Sequence, residues 1–435
     1  FGLDSLGAAT TADSNAAFGH ETLLVNTTGD DNTAIGTEAL KANTTASNNT
    51  AVGYQCLVAN TEGAQNTAFG NFTMHDNTLS SRNASFGYNS LSKLNHTTAT
   101  NGYNTAVGFQ AGSDITTGVQ NTAIGALTFN ATTAASNNTA CGYGVLNANT
   151  TGTDNVGVGS QALVANTTGS NNTALGRVAL ATSTTASNNT AVGLSALRFA
   201  TTGATNTAVG GSALIALTTG GTNTSIGQSS LGGVTTGSGN VGVGYAAGDA
   251  ITTGTGNTII GNLADSGATG AVNVIVIGNQ GTGNGDNTVT LAAGSTESYI
   301  GLGNTSWIGS SDERLKENIT NSEAGLSFIN DLRPITFNWR KRKDIPVELD
   351  AYLKDSEERY NLTDKTKHGF IAQEVKTVLD NHSEIKDGQE FWTTKPDGTQ
   401  SLSVGAFMPM AIKAIQELST QVDELKAEIQ TLKGE

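Results

Sequence analysis

A glycine recurs every seventeen residues through the first two-thirds of this chain, and no other feature so narrows what it can fold into. The phrase Asn-Thr-Ala-(apolar)-Gly stands at Asn32–Gly36, Asn49–Gly53, Asn66–Gly70, Asn121–Gly125, Asn172–Gly176 and Asn206–Gly210. Phrase-ending glycines fall at 2, 19, 36, 53, 70, 87, 108, 125, 142, 159, 176, 193, 210, 227, 244, 261 and 278. Fifteen of the sixteen intervals are 17 residues, and the one from Gly87 to Gly108 is 21. A fixed period of this kind marks a stacked repeat, in which each unit buries its apolar face only against its neighbours.

The period is too short for a helix pair. The slot before the glycine is Ile, Val, Phe or Leu in most copies, which suits a strand. Thr-Thr-Gly and Asn-Asn pairs further along each unit are turn formers. The expectation is one coil of a parallel β-solenoid per unit. Seventeen coils about 4.8 Å apart make a rod on the order of 80 Å long. The apolar slot (Ile35, Val52, Phe69, Phe86, Val107, Ile124) is expected to form an internal column. The alanine before it then points to the opposite face, where a neighbouring chain covers it. The glycine permits a bend or close backbone approach, and the asparagines form side-chain ladders. A regularly spaced apolar column argues against a disordered low-complexity segment.

Charge divides the chain. Residues 1–309 carry 5 Lys+Arg and 14 Asp+Glu, against 17 and 23 in residues 310–435. The net charge of −15, with neither part basic, argues against nucleic acid and against an anionic membrane surface as partners. No apolar run approaches the roughly 20 residues of a membrane span. Cys56 and Cys141 replace small or apolar residues in their units, so both are expected to be buried thiols rather than a disulfide framework. Phe1-Gly2 ends a phrase whose Asn-Thr-Ala is absent, so the sequence reads as part of a longer fibre. Residues 279–309 leave the repeat but keep strand-like runs at Asn287–Ala292 and Ser298–Gly303, as a neck would.

The Asn-Thr-Ala-(apolar)-Gly units resemble the head repeats of trimeric autotransporter adhesins over roughly residues 1–278. That resemblance implies a trimeric parallel β-roll. Those heads use shorter units, so handedness and coil shape do not carry over.

A second resemblance rests on three phrases and a tail. Ser311–Ile319 (SDERLKENI), Leu332–Trp339 (LRPITFNW) and His368–Val375 (HGFIAQEV) occur in order, followed by a helical tail from Phe407. Together they resemble the endosialidase-type intramolecular chaperone domain over residues 310–435. The resemblance implies an α+β domain that trimerises, nucleates folding of the β-structure upstream, and then cuts itself off. Carried over, Ser311 is the nucleophile and Lys316 its general base. A serine needs such a base, and a lysine serves if burial lowers its pKa. Five residues along a helix turn through about 140°, so the pair meets only if the segment is not a regular helix. The cut falls at one side of Ser311. His368, Gln373 and Glu374 are read as structural or supportive. Ile415, Leu418, Val422, Leu425, Ile429 and Leu432 alternate three and four apart, the spacing of a coiled coil over 407–435. β-Branched residues beside leucine favour two strands in the simple rule, whereas both resemblances imply three.

Around the 21-residue interval stand Phe72, Met74, His75, Arg82, Tyr88, Lys93, His96 and Tyr103, the densest aromatic and charged group of the repeat region. Arg82, Tyr88, Lys93, His96 and Tyr103 are candidate contacts to a host-surface glycan or protein. The leading reading is a viral attachment fibre, a phage tail fibre or spike. It is a homotrimer displayed on the virion and joined to other tail proteins through the segment before Phe1. A cellular trimeric adhesin or surface filament is the alternative. A glycan-degrading spike is the weaker one, because the 14 acids of the repeat region are scattered. Paired-threonine columns of the kind that bind ice are interrupted by Glu62, Leu79 and Ala134. No cofactor, metal or activity on an external substrate is expected.

Overall fold

The computed structural model describes residues 2–293, 296–301, 308–309, 313, 316–349, 351–360, 364–385, 392–394 and 398–434. The chain divides into two compact units, Phe1–Ser310 and Ser311–Glu435.

The first unit is a parallel β-solenoid. Each coil contributes a three-residue strand, from Ala16–Phe18 to Ile275–Ile277, paired in parallel with its counterpart one coil on. Thr33 faces Thr50, Ala34 faces Ala51 and Ile35 faces Val52, and this register continues along the ladder. The 21-residue interval does not break it, since Ala84 pairs with Thr105. The extra residues instead add a small parallel pair, Ser80–Ser81 with Thr100–Asn101. At the far end Thr288–Ala293 extends the parallel ladder, and Thr296–Gly301 then pairs with it antiparallel. Part of the expected neck is therefore the last strand of the shaft, its open edge covered by a returning strand.

The structure reverses the expected inside and outside of the strands. Ala34, Ala51 and Ala68 have no exposed surface, whereas Ile35, Phe69 and Phe86 are 43%, 38% and 39% exposed. The reason is the width of the coil. A leucine four residues beyond the repeat glycine (Leu23, Leu40, Leu57) is fully buried and fills most of the interior. Opposite it stand small residues, alanine in most coils and Ser85, Gly157, Ser225 and Gly242 in others. The exchange is visible where the leucine is missing. Gly112 and Gly248 take its place, and Ile115 and Ile251 then replace the asparagine three residues on, reaching within 3.1 and 3.3 Å of where a glycine Cβ would stand. Those leucines adopt left-handed backbone, with φ of 51°, 51° and 50° at Leu23, Leu40 and Leu57. Such a conformation costs a non-glycine residue about 1 kcal/mol, offset here by complete burial of the side chain.

Asparagine ladders complete the interior. Oδ1 of Asn32 accepts the backbone N–H of Asn49 at 3.0 Å, and the same bond recurs at Asn49–Asn66, Asn104–Asn121 and Asn189–Asn206. A second column runs through Asn26, Asn43 and Asn60, linked side chain to side chain at 2.9 Å. It turns aliphatic at Leu217, Val234 and Ile251. The repeat glycine is fixed by sterics. Gly193 has φ +133°, and a Cβ there would lie 2.5 Å from the carbonyl oxygen of Gly210 in the next coil.

The second unit is α+β. Helix α1 (Leu326–Asp331) leads to a strand, Ile335–Phe337, that pairs antiparallel with Lys367–Gly369. Helix α2 (Ala372–Asn381), a hairpin of Trp392–Thr394 with Gln400–Leu402, and helix α3 (Met408–Leu432) follow. Pro409 stands in the first turn of α3, where its missing N–H is harmless. Phe328, Leu332, Val375, Leu379 and Phe407 form the core. All of the sequence phrases from Leu332 onward therefore meet in one cluster.

Candidate functional site

Three regions carry the residues singled out above. On the shaft, the outward side of each strand shows two columns, one of threonine and one of the apolar slot. Phe18, Ile124, Leu175, Ile226, Ile277 and Leu291 are between 41% and 48% exposed, while Val52, Val158, Val192 and Val243 of the same column are half-buried. Phe69 and Phe86 stack within it, with centroids 5.3 Å apart. Cys141 belongs to this column and is half-buried, which corrects the expectation of a buried thiol. Cys56 does lie in the core, and burial pushes its thiol up to about 12.

The coils around the insertion distribute the candidate contact residues over several positions. Arg82 and Tyr103 come together. The guanidinium donates to the Tyr103 hydroxyl at 2.8 Å, and to Oε1 of Gln65 at 2.8 Å. Lys93 pairs with Asp114 at 2.7 Å, which holds its ammonium above the usual lysine range. His96 is buried, with Nε2 3.1 Å from the Thr117 carbonyl, and burial lowers its pKa. Met74 is wholly in the core. Tyr88 joins an aromatic ridge that the sequence reading missed in part. Tyr54 meets Phe72 edge-on at 5.3 Å, Phe72 meets Tyr88 at 5.9 Å, and Tyr88 stacks on Phe109 at 5.6 Å. Tyr54, Tyr88 and Phe109 each follow a repeat glycine directly, so aligning the sequence on its period is the signal that finds them.

In the second unit, Ser311 lies outside the described residues. Lys316 is exposed and donates its backbone N–H to the Glu313 carbonyl at 3.0 Å. Of the segment between Ser311 and Lys316, only Glu313 is among the described residues. The second and third phrases are tied together. Arg333 clasps Glu374 through both Nε, at 2.9 Å, and Nη2. The guanidinium holds the Glu374 carboxyl below the usual carboxylate range. His368 sits on the strand facing Thr336 and is exposed. Phe407 meets Phe328 and Phe370 at 6.2 and 5.7 Å. Oε2 of Glu417 on α3 accepts the N–H of Leu326 at 2.7 Å, which fastens the closing helix to the start of α1. The heptad seam of α3 is bare: Ile415, Leu418, Val422, Leu425, Ile429 and Leu432 are 41% to 80% exposed.

No grouping of metal-binding side chains occurs among the described residues. No helix among them is long and apolar enough to cross a membrane. No match to a curated protein or to a solved structure was found. Residues 311–384, which hold all three phrases, match the sequence profile of the family described as chaperone of endosialidase. The C-terminal unit of this β-solenoid chain thus contains a segment similar to the endosialidase chaperone family.

Proposed function

We propose that this chain is a self-assembling fibre whose C-terminal unit brings three copies together, starts the folding of the shaft, and then releases itself. The observation that carries this reading is the chaperone match on a unit whose closing helix leaves a six-residue heptad seam uncovered. A 25-residue helix with only Ala414 buried stays in water at a cost unless other helices cover it. Release uses Ser311 as nucleophile and Lys316 as base. The fibre is a virion component, a phage tail fibre or spike. It attaches to a host glycan or protein through the coils around the insertion, with Arg82, Tyr88, Lys93, His96 and Tyr103 as contacts.

The test is expression of the full chain beside Ser311→Ala, Lys316→Ala and the double seam variant Leu418→Lys/Leu425→Lys. Wild type yields two fragments split near residue 311, and the first two variants stay whole. Sedimentation of the Ser311→Ala chain gives three times the chain mass, whereas the seam variant gives insoluble or single-chain material. An unassembled Ser311→Ala chain sinks the assembly reading, and uncut wild type sinks the cleavage. Deleting residues 95–99 lowers cell binding if the insertion is the contact, and unchanged binding removes that part.

A further inference from the structure

Asparagine is followed directly by glycine at two places in the chain, Asn101-Gly102 and Asn284-Gly285. In such a pair the backbone nitrogen of the glycine can attack the side-chain amide of the asparagine, because no Cβ obstructs the approach. The attack needs an N–H free of hydrogen bonds, a loosely held side chain, and room for a five-membered ring. The fold gives the two pairs opposite surroundings.

Asn101 lies in the extra strand of the insertion, Thr100–Asn101, paired with Ser80–Ser81. The Gly102 N–H donates to the Ser81 carbonyl at 2.8 Å. Gly102 is buried, and a Cβ there would lie 2.2 Å from Oδ1 of Asn83. Asn284 and Gly285 instead stand exposed in the turn before the last parallel strand, Thr288–Ala293. The N–H of Gly285 has no hydrogen-bond partner among the described residues, and nothing lies within 4 Å of its Cβ position. The Asn284 side chain makes one long bond, 3.5 Å from Nδ2 to the Thr282 carbonyl. On either side the backbone is tied down. The Gly283 N–H donates to the Asp265 carbonyl at 2.9 Å, and Oδ1 of Asp286 accepts the N–H of Val272 at 2.9 Å.

We propose that Asn284 is a site of spontaneous backbone modification, and that the strand pair of the insertion protects Asn101 from the same fate. The Gly285 nitrogen gives its proton to solvent and bonds to Cγ of Asn284. The bond from Cγ to the side-chain nitrogen breaks, and ammonia leaves. Water then opens the resulting succinimide at one of its two carbonyls, which yields aspartate or isoaspartate. Either product adds a negative charge beside Asp286. Isoaspartate also inserts a methylene into the backbone between the ties at Gly283 and Asp286, in the turn that delivers the last parallel strand to the sheet.

The full chain is kept at mildly alkaline pH and sampled over time by peptide mapping, with fragmentation that separates aspartate from isoaspartate. A parallel sample is unfolded in guanidinium, which removes the difference in surroundings and gives the intrinsic ratio of the two sites. Folding is expected to raise the ratio of conversion at Asn284 over Asn101 by at least about tenfold, because Asn101 reacts only when its strand pair opens. Asn284→Gln removes the signal at that site, and Gly285→Ala slows it. A folded chain with the same ratio as the unfolded one overturns the inference. So does a folded chain in which Asn284 stays intact while the unfolded sample converts.

Discussion

Asn172 donates both its backbone N–H and its side-chain amide to Oδ1 of Asn155, at 3.0 and 3.1 Å, with both residues fully buried. Asn155 in turn donates to the Gly169 carbonyl at 2.9 Å. Asn155→Ala removes the acceptor of the Asn172 backbone N–H in the dry interior, where an unmet bond costs about 1–3 kcal/mol, while the Asn172 amide keeps the Ala186 carbonyl and the Gly169 carbonyl keeps Asn166. The expected result is faster amide hydrogen exchange at Asn172 and in the adjoining coils, with distant coils unchanged.

Gly193→Ala introduces a methyl 2.5 Å from the Gly210 carbonyl oxygen at a φ of +133°. Relief requires the two coils to separate, so the loss exceeds the 1–3 kcal/mol of backbone strain alone. Gly144 also has positive φ, at +63°, but nothing lies within 4 Å of its Cβ position. Gly144→Ala is therefore expected to cost less, and chemical denaturation of the two variants orders them.

Neighbouring residues of one strand respond oppositely to enlargement. Ala208→Leu overfills the coil and costs about 1–3 kcal/mol. Val209→Leu puts outside a residue that the same column already holds at Leu175, so thermal unfolding barely shifts.

His382 is held by Glu384 at Nδ1, 2.5 Å, and by Asp331 of α1 at Nε2, 2.8 Å. These bonds, that from Glu384 first, raise the imidazole above its ordinary range and lower the Glu384 carboxyl. The raised imidazole contributes stability below its ordinary pKa, lost as pH rises through the folded value. The lowered carboxyl contributes above its own, lost as pH falls through the folded value. The stability of the C-terminal unit should thus fall as pH rises through the raised folded value of His382. His382→Gln should abolish that fall, and an unchanged fall in the variant would contradict the assignment.

The solenoid, its pitch and its asparagine ladders were legible because a strict period carries them directly. The direction of each strand face was not. Size alone suggested that Ile35 goes in and Ala34 out. The deciding fact, the bulk of Leu40 reaching across from a left-handed turn, belongs to three dimensions. Cys141 was misplaced with its column for the same reason. The insertion looked like a cluster because its residues are close in sequence. On a coil, residues a few apart occupy different faces, while Tyr88 and Phe109, 21 apart, stack. The C-terminal phrases were legible as phrases, but only the fold shows Arg333 and Glu374 in contact.

The 21-residue interval has a consequence for order as well as for surface. A structure built from near-identical layers has translational symmetry, and a strand that skipped one layer would still find asparagine against asparagine and glycine against glycine. Fifteen equal intervals leave such slips nearly degenerate. The odd interval, with its extra strand pair Ser80–Ser81 and Thr100–Asn101, fits one position alone. It serves the layers as a fiducial mark does a stack of identical sheets, fixing which layer is which.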